Sequence, residues 1–313
     1  MGDPLISLII PTYNRAHLIG ETLDSIIAQT YNNWECIVID DISSDYTEKL
    51  MEFYCSRDKR IKYFSRPINK KKGPNTCRNF GYELSKGIFI NWIDSDDILF
   101  PKALEKKILN IGTNDVVIST LHYIDENKKI ISQKHQFRSA NLIEDYLIGK
   151  ITFYTFTPLW SRAFLEKQSE LFDESISNLD DWDFNLRMLY SKPKMVFLDE
   201  TLILYRVHNE SLSHEIHKMN FEEIKSEVRA RKKHVMINLK NKIFNGNSYY
   251  KFILGRNKSF LREAFVANSN TKYYLFLNLI FVQLILKEYK GITNSFLALI
   301  GYTLVGKGYR FLK

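Results

Sequence analysis

The sequence predicts an α/β fold in which a parallel sheet carries helices on both faces, with a helical region after it. Three observations predict this. Short apolar runs alternate with amphipathic segments through about the first hundred residues, an order that suits strand–helix–strand crossovers. The apolar runs are rich in Ile, Leu and Val without polar alternation, as strands buried on both faces are. From about Phe221 the composition changes to long segments rich in Lys, Arg and Glu, and then to two apolar blocks.

Taken in order, Leu5–Ile10 reads as the first buried strand, stopped by the loop Pro11-Thr12-Tyr13-Asn14-Arg15. A helix over Ala16–Gln29 sets Leu18, Ile19, Leu23, Ile26 and Ile27 on one face. Trp34–Ile39 is a second strand, running into the acidic loop 40–45, which also offers a helix N-cap. A helix over Tyr46–Cys55, a strand over 61–64, the basic loop Lys70–Asn75 and a helix over Thr76–Ser85 follow. Gly87 reads as the C′ residue that ends the last of these. The strand Ile88–Ile93 then delivers three carboxylates within four residues: Asp94, Asp96 and Asp97.

Clustered acids repel, so this corner is costly unless a cation sits among them. Oxygen-only ligands suit Mg²⁺ or Mn²⁺, whose usual companion is a substrate diphosphate. A polar turn capping the next helix would need one Asp rather than three. The loops Thr12–Arg15, Asp40–Asp41 and Asp94–Asp97 all fall at strand carboxyl ends, where open α/β sheets bind ligands. Their convergence predicts a nucleotide pocket. No Gly-x-Gly-x-x-Gly or Walker sequence is present, which weighs against a dinucleotide enzyme or a P-loop ATPase.

Further on, a helix to about Leu109, a strand over Asp115–Ser119 and a less regular region with a helix near Leu142–Ile148 are expected. Phe153–Trp160 reads as a cleft lining or strand, and Ser161–Gln168 as helical. Asp180-Asp181-Trp182-Asp183 opens another helix, and strands follow over Lys194–Leu198 and Leu202–Tyr205. Tyr273–Leu286 and Ile292–Val305 are apolar blocks parted by Lys287-Glu288-Tyr289-Lys290. As helices they rise roughly 20 Å each, short of a bilayer core of roughly 30 Å. The ending 306–313 is basic and aromatic. Two readings stand for this region: a hairpin lying on an anionic membrane, and a helical cap packed on the main domain.

The chain has 313 residues, a formal net charge of +8 and 45% hydrophobic residues, which is a globular profile. The positive balance admits phosphorylated substrates and anionic membranes; no nucleic-acid signature accompanies it, so nucleic acid is not an expected partner. Three scattered cysteines and no basic leader at the N-terminus read as a reduced, cytoplasmic protein without a signal peptide.

Six blocks in order carry a family likeness. Pro11-Thr12-Tyr13-Asn14-Arg15, Asp40-Asp41-x-Ser43-x-Asp45, Arg78-Asn79-x-Gly81, Asp94-Ser95-Asp96-Asp97, Asp180-Asp181-Trp182-Asp183 and Tyr205-Arg206-x-His208 together resemble the family 2 inverting glycosyltransferases, nucleotide-sugar-dependent enzymes of the surface-polysaccharide type. The likeness covers about the first 210 residues. It implies the GT-A fold, a mostly parallel Rossmann-like sheet, with residues 1–215 as the transferase domain; residues 216–313 lie outside the likeness and read as a helical appendage. It implies nucleotide-sugar binding by Pro11, Thr12, Tyr13, Asn14, Arg15, Asp41, Arg78, Asp94, Ser95 and Asp96, with Asp41 accepting from a uridine-type base. Mg²⁺ or Mn²⁺ would be held through Asp96, Asp97 and His208. Asp181 would be the general base, with Asp180 and Trp182 in support near the acceptor. Asp180 departs from the common Glu-Asp pair by being shorter. The partners implied are a nucleotide diphosphate sugar and a glycan acceptor, as in lipopolysaccharide or capsule synthesis; the basic, aromatic C-terminus points to a lipid-linked acceptor and to a cytoplasmic place, peripheral on the inner face of the plasma membrane. Two rival classes are a nucleotidyltransferase that makes nucleotide sugars, which would want glycine in the Thr12–Arg15 loop, and a non-catalytic glycan- or nucleotide-binding module.

Overall fold

A computed structural model describes residues 2–133, 135–207 and 220–312. Its contacts divide the chain into two compact units, Met1–Ala140 with Ile151–Asn209, and Asn141–Lys150 with Glu210–Lys313.

The first unit is built on a mixed sheet of nine strands among the described residues: β1 (Ile6–Thr12), β2 (Trp34–Asp40), β3 (Ile61–Ser65), β4 (Phe89–Trp92), β5 (Ile98–Leu99), β6 (Val116–Ile124), β7 (Ile130–Ser132), β8 (Pro158–Ser161) and β9 (Met195–Arg206). The order is β3-β2-β1-β4-β8-β6-β9-β5, with β7 paired to β6. The run β3-β2-β1-β4 is wholly parallel, as strand–helix alternation requires. Beyond β4 the sheet is mixed, since β8 runs antiparallel to both β4 and β6 while β6 and β9 are parallel. Lys194–Leu198 and Leu202–Tyr205 are one strand, β9, whose register slips against β6 at Thr120. The expected helix at Ser161–Gln168 shortens to α6 (Arg162–Leu165), because β8 extends into Ser161.

The helices α1 (Ile19–Ile27), α2 (Thr47–Arg57), α3 (Pro74–Leu84) and α4 (Ala103–Ile111) cover the sheet, and α7 (Asp180–Tyr190) follows β8 and α6 in the chain. Strand residues divide between two faces with a period of two. Ile6, Leu8, Ile10, Cys36 and Val38 pack with Leu23, Ile26, Met51 and Leu104, whereas Ile37 and Ile39 pack with Cys77, Phe80 and Leu84. The α3 side is close-packed: a Cβ on Gly81 would fall 2.4 Å from Ile9 Cγ2. All three cysteines are free, Cys36 and Cys77 being buried.

Gly87 does not act as a left-handed helix end. The α3 helix stops at Leu84 with Ser85 as its cap, and Gly87 is absent from the positive-φ residues. Glycine is needed there for close approach, since a Cβ would stand 2.5 Å from the Ser7 backbone nitrogen. Likewise α3 begins two residues earlier than expected, with Pro74 at its first position after Gly73 at φ +140°.

A buried polar thread runs beneath the end of β4. Asn91 donates to the carbonyls of Trp92, Phe156 and Pro158, and the fully buried Lys107 ammonium donates to Asn91 Oδ1 at 2.9 Å and to the Phe156 carbonyl at 3.3 Å. Burial pulls the Lys107 amine down to about 7.

The second unit is helical: α5 (Leu142–Leu147), α8 (Phe221–Asn241), α9 (Gly246–Val266), α10 (Thr271–Ile285) and α11 (Tyr289–Val305), closed by a 3₁₀ turn at Tyr309–Leu312. Asn220 and Asn245 cap α8 and α9 by accepting from Glu222 N and Asn247 N. Buried Glu227 joins the two helices, accepting from Arg231 at 2.8 Å and Arg256 at 2.6 Å. Among the described residues no helix is long and apolar enough to cross a membrane.

The Gly87 contact yields a prediction. Gly87→Ala must push the added methyl into the β1 backbone, so it should cost about 1–3 kcal/mol and lower the melting temperature by several degrees. An unchanged melting curve would show that β1 and the α3–β4 turn have slack there.

Candidate active site

Register sets the rim of the site. In the parallel pairs Thr12 stands opposite Asp40, and Asp40 opposite Ser65, so three strands deliver their last residues side by side. The loops that follow are tied together. Asp41 N donates to the Thr12 carbonyl, Asn14 N to Ser43 Oγ, and Ser44 N to Asn14 Oδ1. Asn14 holds φ at +52°, a conformation its short amide tolerates. Pro11 is the penultimate residue of β1; Arg15, part-exposed, offers its carbonyl to Leu18 N and Ile19 N as α1 is entered. Tyr13 is exposed, with the Lys72 ammonium 3.9 Å from its ring centre. The Thr12 hydroxyl is buried and has no hydrogen-bond partner among the described residues.

The paired acids of the second loop have separate tasks. Asp40 is structural: it accepts from Ser43 N at 3.0 Å and from the Ser43 and Tyr63 hydroxyls. Neither acid of the pair serves the head of the next helix; Asp45, one residue before the N-cap Tyr46, accepts from Thr47 N at 3.0 Å and from Ala16 N at 3.1 Å. Asp41 is buried against Arg66, whose Nε donates to Asp41 Oδ1. Arg66 also donates to the Pro67 and Lys70 carbonyls, so its guanidinium is fixed.

Arg78, buried on α3, joins the two acidic segments. One nitrogen donates to Asp180 Oδ2 at 2.6 Å and to Asn75 Oδ1 at 3.0 Å; the other donates to Asp94 Oδ1 at 2.9 Å. Burial opposes its charge, but Asp180 and then Asp94 outweigh burial and raise its pKa. Asn75 in turn donates to the Asp173 and Ile176 carbonyls, anchoring the segment that precedes α7.

After β4 the chain turns at Asp94–Asp97 and returns through β5. Burial raises the Asp94 carboxyl, Arg78 lowers it and Asp96 raises it, with a net rise. Asp97 is fully buried; burial, then Asp96 and Asp94, push it well above the usual carboxylate range. Its Oδ1 accepts from Arg206 N at 3.2 Å, and its Oδ2 has no hydrogen-bond partner among the described residues. Ser95 is buried and Asp96 part-exposed. Arg206, at the end of β9, also donates to the Asp96 carbonyl at 3.1 Å and pairs with Glu21 at 2.5 Å.

At the head of α7, Leu179 adopts φ +63° and three acids follow. Asp180 pairs with Arg78, and buried Asp183 pairs with Arg187 at 2.8 Å. Asp181 forms no salt bridge among the described residues; its Oδ1 accepts from Trp182 N at 2.7 Å. It keeps some solvent access, yet it is so enclosed by protein that lost hydration, and then the charge of Asp180, push its carboxyl up to about 7. Asp94 adds to that rise, and the acids at 94, 96, 97 and 181 all raise Tyr205, so these groups share one electrostatic neighbourhood. Tyr205 stacks on Tyr154 at 5.1 Å, forming an aromatic wall beside them.

Other expected members stand apart. Trp182 is 7% exposed, which leaves little ring face for a sugar. In the basic loop, which carries no expected site role, Lys70 pairs with Glu83 at 2.8 Å and Lys71 donates to the Glu174 carbonyl. His208 lies outside the described residues. Arg66 and Asn75 escape a reading of the sequence, the only local signal being that Arg66 directly follows a strand; Arg206 stands in the block Tyr205-Arg206-x-His208, but the sequence gives it no role there.

No three carboxylate, imidazole or thiol groups converge as a ready-made metal set among the described residues. Mg²⁺ and Mn²⁺ sites that work on diphosphates need only one or two carboxylates, the substrate supplying the other oxygens. The orphaned Asp97 Oδ2, with Asp96 beside it, fits that demand.

The profile of Glycosyl transferase family 2 matches residues 7–169. An uncharacterised glycosyltransferase of Rickettsia bellii is 33% identical over 183 residues, which is 58% of this chain and 26% of that protein. The chain thus spans about a quarter of that relative's length. Among solved structures, Staphylococcus aureus TarS residues 1–349 in complex with UDP-GlcNAc superposes with a TM-score of 0.63 at 18% identity, covering 98% of this chain and 89% of that one. The mannosyltransferase PcManGT of Pyrobaculum calidifontis, in complex with GDP-Man and Mn²⁺, gives 0.57 at 15% identity, covering 98% and 89%. These likenesses establish the fold as α/β GT-A with a helical C-terminal region. With more than half of its residues inside the family profile, the chain belongs to glycosyl transferase family 2.

Proposed function

We propose that the chain is a metal-dependent inverting glycosyltransferase. It moves a sugar from a nucleotide diphosphate sugar, with UDP favoured, to a hydroxyl of a glycan or lipid-linked acceptor during cell-surface polysaccharide synthesis at the inner face of the plasma membrane. One observation carries the reading: the Arg78 bridge from Asp94 to Asp180, which sets Asp181 in the same neighbourhood as the Asp94–Asp97 corner. The ligands of the two structural neighbours, UDP-GlcNAc in one and GDP-Man with Mn²⁺ in the other, support a nucleotide-sugar donor.

The roles follow from the chemistry of each group. Asp41 has one oxygen committed to Arg66, which leaves the second to accept from the N3–H of a uracil. The unpartnered Thr12 hydroxyl and the Asn14 loop line the nucleotide's approach. Asp96 and Asp97 would hold the divalent cation, which when bound neutralises charge on the departing diphosphate. Asp181 takes the proton from the acceptor hydroxyl as that oxygen attacks the anomeric carbon, and a single displacement inverts it. An acid near pKa 7 suits this work, being basic enough to accept a proton and ionised in a useful fraction at neutral pH.

Asp181→Asn should lower kcat by about a thousandfold or more, within the range general-base loss produces together with its positioning effects, while donor affinity stays within a few fold. Retained transfer would remove Asp181 from the role. In the wild type, kcat/KM should fall about tenfold per pH unit below 7, since protonated Asp181 cannot accept a proton. The same shift has a stability consequence with a definite sign. A carboxyl raised from 3.8 to about 7 favours its protonated form in the fold, so its contribution to stability is lost as pH rises through that window. Asp181→Asn should therefore melt a few degrees above the wild type at pH 8 and close to it at pH 4.

Ligand removal tests the donor site. UDP should raise the melting temperature in the presence of Mn²⁺, and EDTA should abolish most of that rise. Asp96→Asn should behave as the wild type does in EDTA. An equal shift by UDP with and without metal would contradict the assigned corner.

A further inference from the structure

The net positive charge of this protein resides entirely in its second unit. Residues 141–150 and 210–313 carry 19 Lys and Arg against 9 Asp and Glu, while the remaining residues carry 25 against 27. The catalytic chemistry proposed above does not use this excess, because every group it invokes belongs to the first unit.

The same unit exposes an ordered apolar face. Only Ser295 and Ala298 of α11 are buried. Tyr289, Phe296, Leu297, Ile300 and Leu304 are between 42% and 77% exposed; apart from the adjacent pair Phe296-Leu297 they recur at three, four or seven residues, which puts them on one broad side of the helix. Neighbouring α10 repeats the pattern with Tyr273, Leu277 and Leu284 exposed at helical spacing. The two helices are fastened to each other by Ser295 Oγ donating to Gln283 Oε1 at 3.1 Å and by Phe276 meeting Phe296 edge-on at 5.0 Å. Exposed cations stand at both ends of α11: Lys287 and Lys290 either side of its first residue, Lys307 and Arg310 beyond its last.

Aliphatic side chains in this number are costly in water on a folded surface. A solvated face would not carry them, and an acidic protein partner would satisfy the cations but not the stripe. A bilayer surface with anionic headgroups satisfies both, since it offers acyl chains to the stripe and phosphates to the lysines. The length agrees: α11 rises about 25 Å, too little to cross comfortably but ample to lie along the interface.

We infer that α10 and α11 dock this chain on an anionic bilayer, with α11 in the headgroup plane and Phe296, Leu297, Ile300 and Leu304 among the acyl chains. The inference stands on the second unit alone, so it holds or fails independently of the donor chemistry.

The test is flotation of the full chain with vesicles of phosphatidylcholine containing 30% phosphatidylglycerol, and with pure phosphatidylcholine, at about 0.15 M salt. The full chain should float with the anionic vesicles and bind the neutral ones at least tenfold more weakly. Leu297→Gln, Ile300→Gln and Leu304→Gln combined should abolish flotation, with the melting temperature unchanged because all three are exposed. Lys290→Ala with Lys307→Ala should weaken binding tenfold or more, at about fivefold per charge. UDP binding by each variant should match the wild type, which separates loss of docking from loss of the donor site. The inference is overturned if the full chain stays in the aqueous fraction. It is also overturned if the glutamine variant floats as well as the wild type, or if light scattering shows an oligomer that this variant dissociates while no form floats, since the stripe would then join copies of the chain.

Discussion

A guanidinium with almost no access to water must be met by counter-charge, and Arg78 meets two carboxylates at once. Asp94 comes from the turn after β4, and Asp180 from the head of α7, 102 residues further along the chain than Arg78 itself. Removing either acid would leave a buried charge partly unpaired, so the two segments are held to one geometry. The planar fork of arginine matters here, because a single ammonium could not face both acids in fixed directions. Asn75 completes the clamp by holding both Arg78 and the carbonyls of Asp173 and Ile176. The nearness of Asp181 to the Asp94–Asp97 corner is a consequence of this clamp.

The same clamp explains why two neighbouring aspartates behave differently. Asp180 spends its charge on Arg78, and Asp183 on Arg187; Asp181, between them, has no cation of its own among the described residues. Its carboxyl then carries the cost of enclosure and of its neighbour's charge, and rises toward neutrality. The acidic corner shows a related tension at Asp97, fully buried with one oxygen unpartnered. Arg206 relieves part of it through its backbone N–H and ties the corner to β9, α1 and Glu21. Structural order and chemical readiness thus come from the same few charges.

The parallel half of the sheet was legible in the sequence because β1, β2 and β4 are mostly apolar runs, broken only by single polar residues such as Ser7, Glu35 and Asn91, and stand among amphipathic segments. The mixed half was less so: β5 is two residues long and β8 four, too short for periodicity to register, and β5 finds its partner in β9, more than a hundred residues further along the chain. Gly87 read as a helix end because glycine commonly is one, yet what it answers to is the Ser7 backbone on a neighbouring strand. The acids of the site announced themselves by clustering. Their partners Arg66 and Asn75 did not, because each is single in its own stretch and gains meaning only from what the fold sets against it; Arg206 was visible as part of a motif, but not as the partner of Asp97 and Glu21. The helix α5 groups with the C-terminal helices rather than with the residues around it in the chain, a relation no local pattern encodes.

The central claim is that Arg78 and Asp180 act as one unit in setting Asp181 against the donor corner, and a double-mutant cycle on kcat/KM measures it directly. Arg78→Lys and Asp180→Asn should each cost about a hundredfold or more, and the double variant should be little worse than the poorer single one, a coupling on the order of 2 kcal/mol. Losses that simply multiply in the double variant would show that the two residues act separately, and the account would fail at its base.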